Sequence, residues 1–279
     1  MGNPKLSIIT INLNNKEGLR KTIKSVVSQT FTDYEYIIID GSSTDGSVEI
    51  IEEYSNNIEY WVSEPDSGIY YAMNKGINQA KGDYCLFLNS GDYFYNNAVC
   101  DMVFSCSPQE DIVYGDIVID YGEMQEKKSS PDKVTLCHLF KDTLWHPVSF
   151  IKRKLFETVG LYDTSFLIAG DYDFNFKAFV LHHCSQHHLS IIIAVFNTQG
   201  ISSNREFEAL TKKERYKTQI SNVDSTVIDL YTELMIDIQN LKQLNTKLQS
   251  KYDEIVHSKT YRFGNLLLTP FRKSNNFKL

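Results

Sequence analysis

The sequence predicts an α/β fold: a mostly parallel, Rossmann-like central sheet flanked by helices, followed by a helical C-terminal extension. Three observations carry this prediction. Short, nearly unbroken apolar runs rich in β-branched residues recur through the first part of the chain, as expected of strands covered on both faces. Segments with apolar residues at helical spacing separate them, and such strand–helix alternation closes into a parallel sheet through right-handed crossovers. From about residue 205 the pattern changes to a seven-residue repeat.

Taken in order, residues 6–11 (LSIITI) read as the first strand. Leu19, Ile23, Val26 and Val27 then recur at helical spacing after Asn14 and Asn15, which can cap the helix start. Residues 36–39 (YIII) form the second strand, stopped by the loop DGSSTDG at residues 40–46. A helix is expected over 47–54, a strand over 58–62 and a helix over 69–80 with Ile69, Ala72, Met73, Ile77 and Ala80 on one face. Residues 84–88 (YCLFL) are another buried strand, ending in Asn89-Ser90-Gly91-Asp92. Two short strands, 112–114 and 117–119, flank Gly115-Asp116, and the polar stretch 123–132 reads as a loop. A last strand is expected at 191–196. The polar clusters fall at the carboxyl ends of strands, where open α/β sheets bind ligands.

The expected domains are therefore 1–204, a catalytic-type α/β domain, and 205–279, a helical extension. In the extension Val227, Leu234, Leu241, Leu248 and Ile255 recur every seven residues, with Leu230 and Leu244 between them and Asp237 and Lys251 interrupting the second seam. Such a helix either docks on its own domain or associates with a second copy as a homo-oligomer. Residues 259–279 carry Lys259, Arg262, Arg272, Lys273 and Lys278 and no acid, beside Phe263, Leu266, Leu267, Leu268 and Phe271. That composition suits peripheral contact with an anionic membrane surface, and a solvated tail is the alternative.

Composition narrows the function classes. The chain has 279 residues, 42% apolar and 23% charged, enough for a sizeable core. A net charge of -7 argues against a nucleic-acid partner. The five cysteines are scattered with no CxxC pair, so neither a zinc site nor a disulfide framework is expected. The first residues lack the pattern of a signal peptide, and no apolar run is long enough to span a bilayer. The expected location is the cytoplasm, with peripheral contact at the inner face of the cell membrane through the tail.

Several side chains are suited to chemistry. Asp40 ends a buried strand and opens a Gly/Ser/Thr loop, where a carboxylate can accept from a base or ribose. The same loop is also ordinary turn and cap chemistry. Asn89 and Asp92 bracket a turn able to hold a divalent cation with phosphate oxygens. Asp171 and Asp173 diverge if helical, and either offers a general base. His146, beside Trp145 and Pro147, is open to two readings, a phosphate ligand or a satisfied core histidine. His182, His183, His187 and His188 lack the spacing of a metal site and are expected at the surface.

Read together, SIITINLNN, IIIDGSSTDGS and SEPDSGIYYAMNKGINQAKGDYCLFLNSGDYF resemble family 2 glycosyltransferases of the GT-A fold. The likeness is nearest to the branch that builds colanic-acid-like and capsular polysaccharides. HPVSFIKRKLFETVGLYDTSFLIAGDYDFNFKAF resembles that branch's acceptor-side motif. The resemblance implies a hexosyl- or N-acetylhexosaminyltransferase with a nucleotide-sugar donor, a UDP-sugar by family habit. It implies inversion at the anomeric carbon, a saccharide or lipid-linked saccharide acceptor, and a role in surface polysaccharide biosynthesis. It places Ile11, Asn12 and Asn14 along the nucleotide pocket, Asp40 on the base or ribose, and Asp66 and Lys75 near the donor. Asn89 to Asp92 match the metal motif, with Asp92 as the ligand of Mg²⁺ or Mn²⁺. Asp171 matches the catalytic base, with Asp173 as runner-up, and His146 stands near the diphosphate or acceptor. The sequence departs from the family pattern where Asn89 and Gly91 replace acids, where Gly170 replaces a common Glu, and where Tyr71 replaces a common Asp.

Overall fold

The structure is a computed structural model, and it describes residues 2–200 and 205–263. Strand β1 (Leu6–Asn12) is buried along its whole length, as its unbroken apolar run requires. Helix α1 (Lys16–Val27) is capped by Asn15, whose side chain accepts from the Gly18 N–H, and it buries Leu19, Thr22, Ile23 and Val26. Each fully buried aliphatic side chain of that kind contributes about 1.5–3 kcal/mol. Strand β2 (Tyr34–Asp40), helix α2 (Ser47–Glu53), strand β3 (Tyr60–Ser63), helix α3 (Ile69–Gln79) and strand β4 (Tyr84–Phe87) follow. Strands β1 to β4 run parallel in the order β3-β2-β1-β4. Gly76 lets α3 lie close on the sheet, because a Cβ there would meet Ile9 Cγ2 at 2.5 Å.

The second half mixes directions. It comprises strand β5 (Tyr93–Phe94), helix α4 (Val99–Ser105), strands β6 (Ile112–Asp120) and β7 (Gln125–Lys128), helix α5 (Leu136–Lys141) and strand β8 (Ser149–Lys152). Helices α6 (Leu155–Thr158) and α7 (Gly170–Phe176), a π-helical turn at Lys177–Leu181 and strand β9 (Gln186–Asn197) come next. Helices α8 (Glu208–Asn222) and α9 (Ser225–His257) complete the chain among the described residues. Strand β8 joins the sheet antiparallel between β4 and β6, and β9 lies parallel to β6.

Three expectations change here. The two strands expected at 112–114 and 117–119 are one strand, β6, whose register on β9 shifts at Gly115/Asp116 and Asp116/Ile117. The irregularity keeps one strand continuous across a Gly-Asp pair that reads locally as a turn. The polar segment expected as a loop carries β7, which pairs with β6 although most of its residues are exposed. Of the four histidines expected at the surface, His188 is half-buried: its Nε2 lies 2.9 Å from Asp116 Oδ1 and its Nδ1 3.5 Å from Asp132 Oδ1.

The chain divides into two compact units, Met1–Asn222 and Val223–Leu279. Helix α8 thus belongs with the first unit, beyond the expected boundary at residue 204. The second unit begins just before α9 and contains it. Of the basic tail expected over 259–279, residues 264–279, with Leu266, Leu267, Leu268, Phe271, Arg272, Lys273 and Lys278, lie outside the described residues. No described helix is long and apolar enough to cross a membrane.

Candidate active site

The site assembles from the carboxyl ends of β1, β2 and β4 and from the start of α7. At the end of β1, Asn12 donates from Nδ2 to Asp40 Oδ1 at 2.7 Å. Asp40 is fully buried. Its Oδ1 also accepts from the Ser43 hydroxyl at 2.6 Å, and its Oδ2 accepts from Ser43 N–H at 2.9 Å and from the Ser63 hydroxyl at 2.6 Å. All four bonds serve to shape the loop. Asn12 Oδ1, by contrast, is a buried acceptor with no hydrogen-bond partner.

Asn14 ties the β1 and β2 loops together. It adopts a positive φ of 48°, which asparagine tolerates better than most residues. Its N–H donates to Ser43 Oγ at 2.8 Å and its Oδ1 accepts from Thr44 N–H at 2.9 Å. Ile11 offers its carbonyl to Ser90 N–H at 3.1 Å, so its backbone reaches the turn after β4. Asp66 and Lys75 form an ion pair at 2.6 Å, and Glu64 lies at the same distance from the Lys75 ammonium. The flanking acids hold Lys75 above its usual pKa.

The turn after β4 meets the second half of the chain. Asp92 is buried, accepts from Asn197 N–H at Oδ1 (2.9 Å), and places Oδ2 3.5 Å from His146 Nε2. Burial pushes the Asp92 carboxyl up, and His146 opposes the shift. His146 Nδ1 lies 3.6 Å from Asp171 Oδ2, so one imidazole bridges two carboxylates. Burial works to lower His146, but Asp171 and Asp92 outweigh it and raise it to about 9. The Asn89 amide nitrogen lies 3.2 Å from His146 Nε2, and the Asn89 Oδ1 is buried without a hydrogen-bond partner.

Asp171 sits in the first turn of α7, where the helix dipole favours a carboxylate. Its Oδ1 accepts from its neighbour's N–H, that of Tyr172, at 2.8 Å, and lies 3.3 Å from the Tyr70 hydroxyl, which donates to the Ile168 carbonyl at 2.5 Å. Its Oδ2 faces His146 and is the less committed oxygen. Tyr70 also explains Gly170: a Cβ at 170 would meet the Tyr70 ring at 2.8 Å, so a larger residue there would displace it. Burial and the Asp171 charge keep the Tyr70 hydroxyl protonated well above its ordinary range. Asp173 is different. It is buried, accepts from Thr218 Oγ1 at 2.8 Å, and pairs with Lys177 Nζ at 2.7 Å. The structure thus separates the two acids that the sequence left as alternatives.

Sequence reasoning missed the residues that hold these groups in place. Thr22, a polar residue on the buried stripe of α1, donates to the Asp92 carbonyl at 2.6 Å and accepts from Gly91 N–H at 3.0 Å. Its position on an apolar face was the available signal. Glu214 of α8 accepts from three successive backbone N–H groups, those of Leu167, Ile168 and Ala169, at 2.8, 3.0 and 2.8 Å. Gln219 donates to the Tyr172 hydroxyl at 2.9 Å. Glu214 and Thr218 are one turn apart, so α8 clamps both the approach to α7 and its first turn. No local pattern marks a partner more than forty residues away.

Comparison with known proteins gives the family and the fold. The family model described as glycosyl transferase family 2 matches residues 7–170. The chain belongs to glycosyl transferase family 2. It is a glycosyltransferase with a GT-A-like mixed sheet. An uncharacterized glycosyltransferase of Mycobacterium tuberculosis is 33% identical over 217 residues, covering 74% of this chain and 80% of that protein. A glycosyltransferase of PGL/p-HBAD biosynthesis from Mycobacterium bovis is 29% identical over 211 residues, covering 73% and 81%. Among solved structures, residues 1–349 of TarS from S. aureus with UDP-GlcNAc superpose with a TM-score of 0.58 at 21% identity, covering 70% of this chain and 59% of that one. The mannosyltransferase PcManGT from Pyrobaculum calidifontis, solved with GDP-Man and Mn²⁺, gives 0.55 at 12% identity, covering 96% and 84%. The chain spans about a third of the longer TarS structure, 36%. These structural likenesses establish the fold.

Proposed function

We propose that this glycosyltransferase moves a sugar from a nucleoside-diphosphate donor, a UDP-sugar, to a hydroxyl of a saccharide or lipid-linked saccharide, with inversion, in surface polysaccharide biosynthesis. The observation that carries the reading is the Asp92–His146–Asp171 chain, in which one imidazole links the turn that matches the family's metal motif to the Asp171 carboxylate. Asp171 Oδ2 takes the proton of the acceptor hydroxyl. The hydroxyl oxygen attacks the anomeric carbon as the bond to the diphosphate breaks on the opposite face, and that electron pair leaves on the phosphate oxygen. One displacement turns an α-linked donor into a β-linked product.

Other residues fit the same roles. The orphan acceptor Asn12 Oδ1 suits a base N–H, while Asp40 acts by fixing Asn12, Ser43 and Ser63 rather than by offering a spare lone pair. Lys75, held charged by Asp66 and Glu64, supplies a cation on the donor side. His146 orients Asp171 and brings positive charge to the corner. Among the described residues no three His, Cys, Asp or Glu side chains converge as a metal site. The donor set, one carboxylate on Asp92, fits a Mg²⁺ or Mn²⁺ ion carried in on the diphosphate, since Mg²⁺ often takes one or two carboxylates plus phosphate oxygens and water. When bound, such an ion supplies charge stabilisation to the leaving diphosphate. The basic tail would bring the enzyme to acceptors on an anionic membrane face, and the heptad face of α9 offers a surface for self-association.

The test is nucleoside diphosphate release from a panel of nucleotide sugars, with Mg²⁺, Mn²⁺ or chelator, by the wild-type protein and Asp171→Asn. Release from one donor, abolished in the variant, is the expected result. Donor binding without turnover, even with lipid-linked saccharides supplied, would overturn the transferase chemistry proposed for Asp171.

A further inference from the structure

Among the described residues, the apolar face of α9 is left exposed along most of its length. Leu234, Leu241, Leu248, Tyr252 and Ile255 are between 56% and 63% exposed. From Gln239 to His257 every residue but Val256 is exposed. A 33-residue helix is about 50 Å long, and an isolated apolar stripe of that length is costly to leave in water.

The choice of seam decides what covers it. If Leu234, Leu241, Leu248 and Ile255 pair with the row three residues after each, Asp237 and Lys251 enter the core, and each meets its own like charge across a two-fold axis. If they pair with the row four residues after each, the core layers become Leu234, Ile238, Leu241, Asn245, Leu248, Tyr252 and Ile255, with no charge among them. Leucine then fills three successive d positions and a single asparagine stands at an a position, a device that specifies register and oligomer state. Asp237 moves to a g position and Lys242 to the e position five residues on, where they face each other between parallel copies. The remaining g and e′ pairs, Leu244 with Gln249 and Lys251 with Val256, bring no like charges together.

Direction follows from the same residues. In a parallel pair Asn245 meets Asn245 of the second copy and the two amides hydrogen-bond. In the antiparallel pair that keeps the same layers, Asn245 faces Leu241 and Lys242 faces Lys242, leaving a buried amide unpaired and two ammonium groups together. We infer that α9 forms a parallel two-stranded coiled coil with a second copy of this chain, with Asn245 fixing its register and Asp237–Lys242 pairs flanking it. The inference rests on α9 alone and is independent of the donor and acceptor chemistry.

Sedimentation equilibrium of the full chain tests it. A species of twice the chain mass is expected at micromolar concentration, becoming monomeric in Leu241→Glu/Leu248→Glu while nucleoside diphosphate release per chain and thermal unfolding stay unchanged. Lys242→Asp should raise the dimer dissociation constant several-fold, and Asp237→Lys added to it should restore the wild-type value. In an antiparallel pair the double swap sets the introduced lysine against Lys251 of the second copy and gives no rescue. Asn245→Leu should yield mixed assembly states in place of one. A monomeric wild-type protein, a dimer untouched by the double glutamate change, or failure of the charge swap to rescue overturns the proposal.

Discussion

The loops at the ends of β1 and β2 and the corner at the start of α7 hold their carboxylates in opposite ways. Asp40 is sealed from solvent, and all four of its hydrogen bonds go to the protein's own loop. Asp171 has one oxygen bound by Tyr172 N–H and the other facing a histidine 3.6 Å away. The first carboxylate has spent its acceptor capacity on geometry, and the second retains capacity for a proton. Burial and charge alone therefore do not separate the two carboxylates; the partners of each oxygen do. Asp173, two residues from Asp171, repeats the lesson, because Thr218 and Lys177 occupy it as fully as the β2 loop occupies Asp40.

The largest effect expected from this contrast is on rate. Asp171→Asn should lower nucleoside diphosphate release by about 10²–10⁴-fold, the range of a general base, with donor affinity nearly unchanged. Asp173→Asn should alter release only a few-fold and appear as lost stability in urea titration. The reverse pattern would reassign the base to Asp173. Next in size, Asp40→Ala leaves buried donors on Asn12 and Ser63 unpaired and should cost about 3 kcal/mol in urea unfolding, with donor binding lost as well. Retained binding with lowered stability would confine Asp40 to a purely structural part.

Smaller again is the brace behind α7. Glu214→Gln replaces an acceptor of three backbone N–H groups with an amide that repels some of them, and should cost about 1–2 kcal/mol. Its kcat should fall several-fold while KM for the donor holds, because α8 braces α7 and its approach through Glu214, Thr218 and Gln219. An equal loss in both would show that α8 supports the whole site. The smallest effect is on pH. His146 is raised from 6.5 to about 9, so its pairing with Asp92 and Asp171 stabilises the native state fully below about pH 6.5. That contribution fades as pH rises through 9. Melting temperatures in metal-free buffer should show this decline, and His146→Gln should flatten it.

The parallel half of the sheet was legible in the sequence alone. The runs at β1, β2 and β4 are short, nearly unbroken and bounded by turn residues, so their hydrophobic pattern leaves little choice, and Asp40 falls at a strand end and Asp92 in the turn beyond one for that reason. The amphipathic spacing of α1 and α3 was equally plain. The resemblance to a known family supplied Asp171 as the proposed base, since one acid in a mixed stretch carries no local mark that sets it apart. Everything that depends on contact across long separations had to wait for the folded chain. The join of 112–114 to 117–119 into one strand needed β9 alongside it, and β7 needed β6. The parting of Asp171 from Asp173 needed Thr218 and Lys177, and the bridge through His146 needed two loops more than twenty residues either side of it. Hydrophobic periodicity records which face of a segment is buried. Which oxygen of which carboxylate stays unpaired is settled by partners that periodicity does not name.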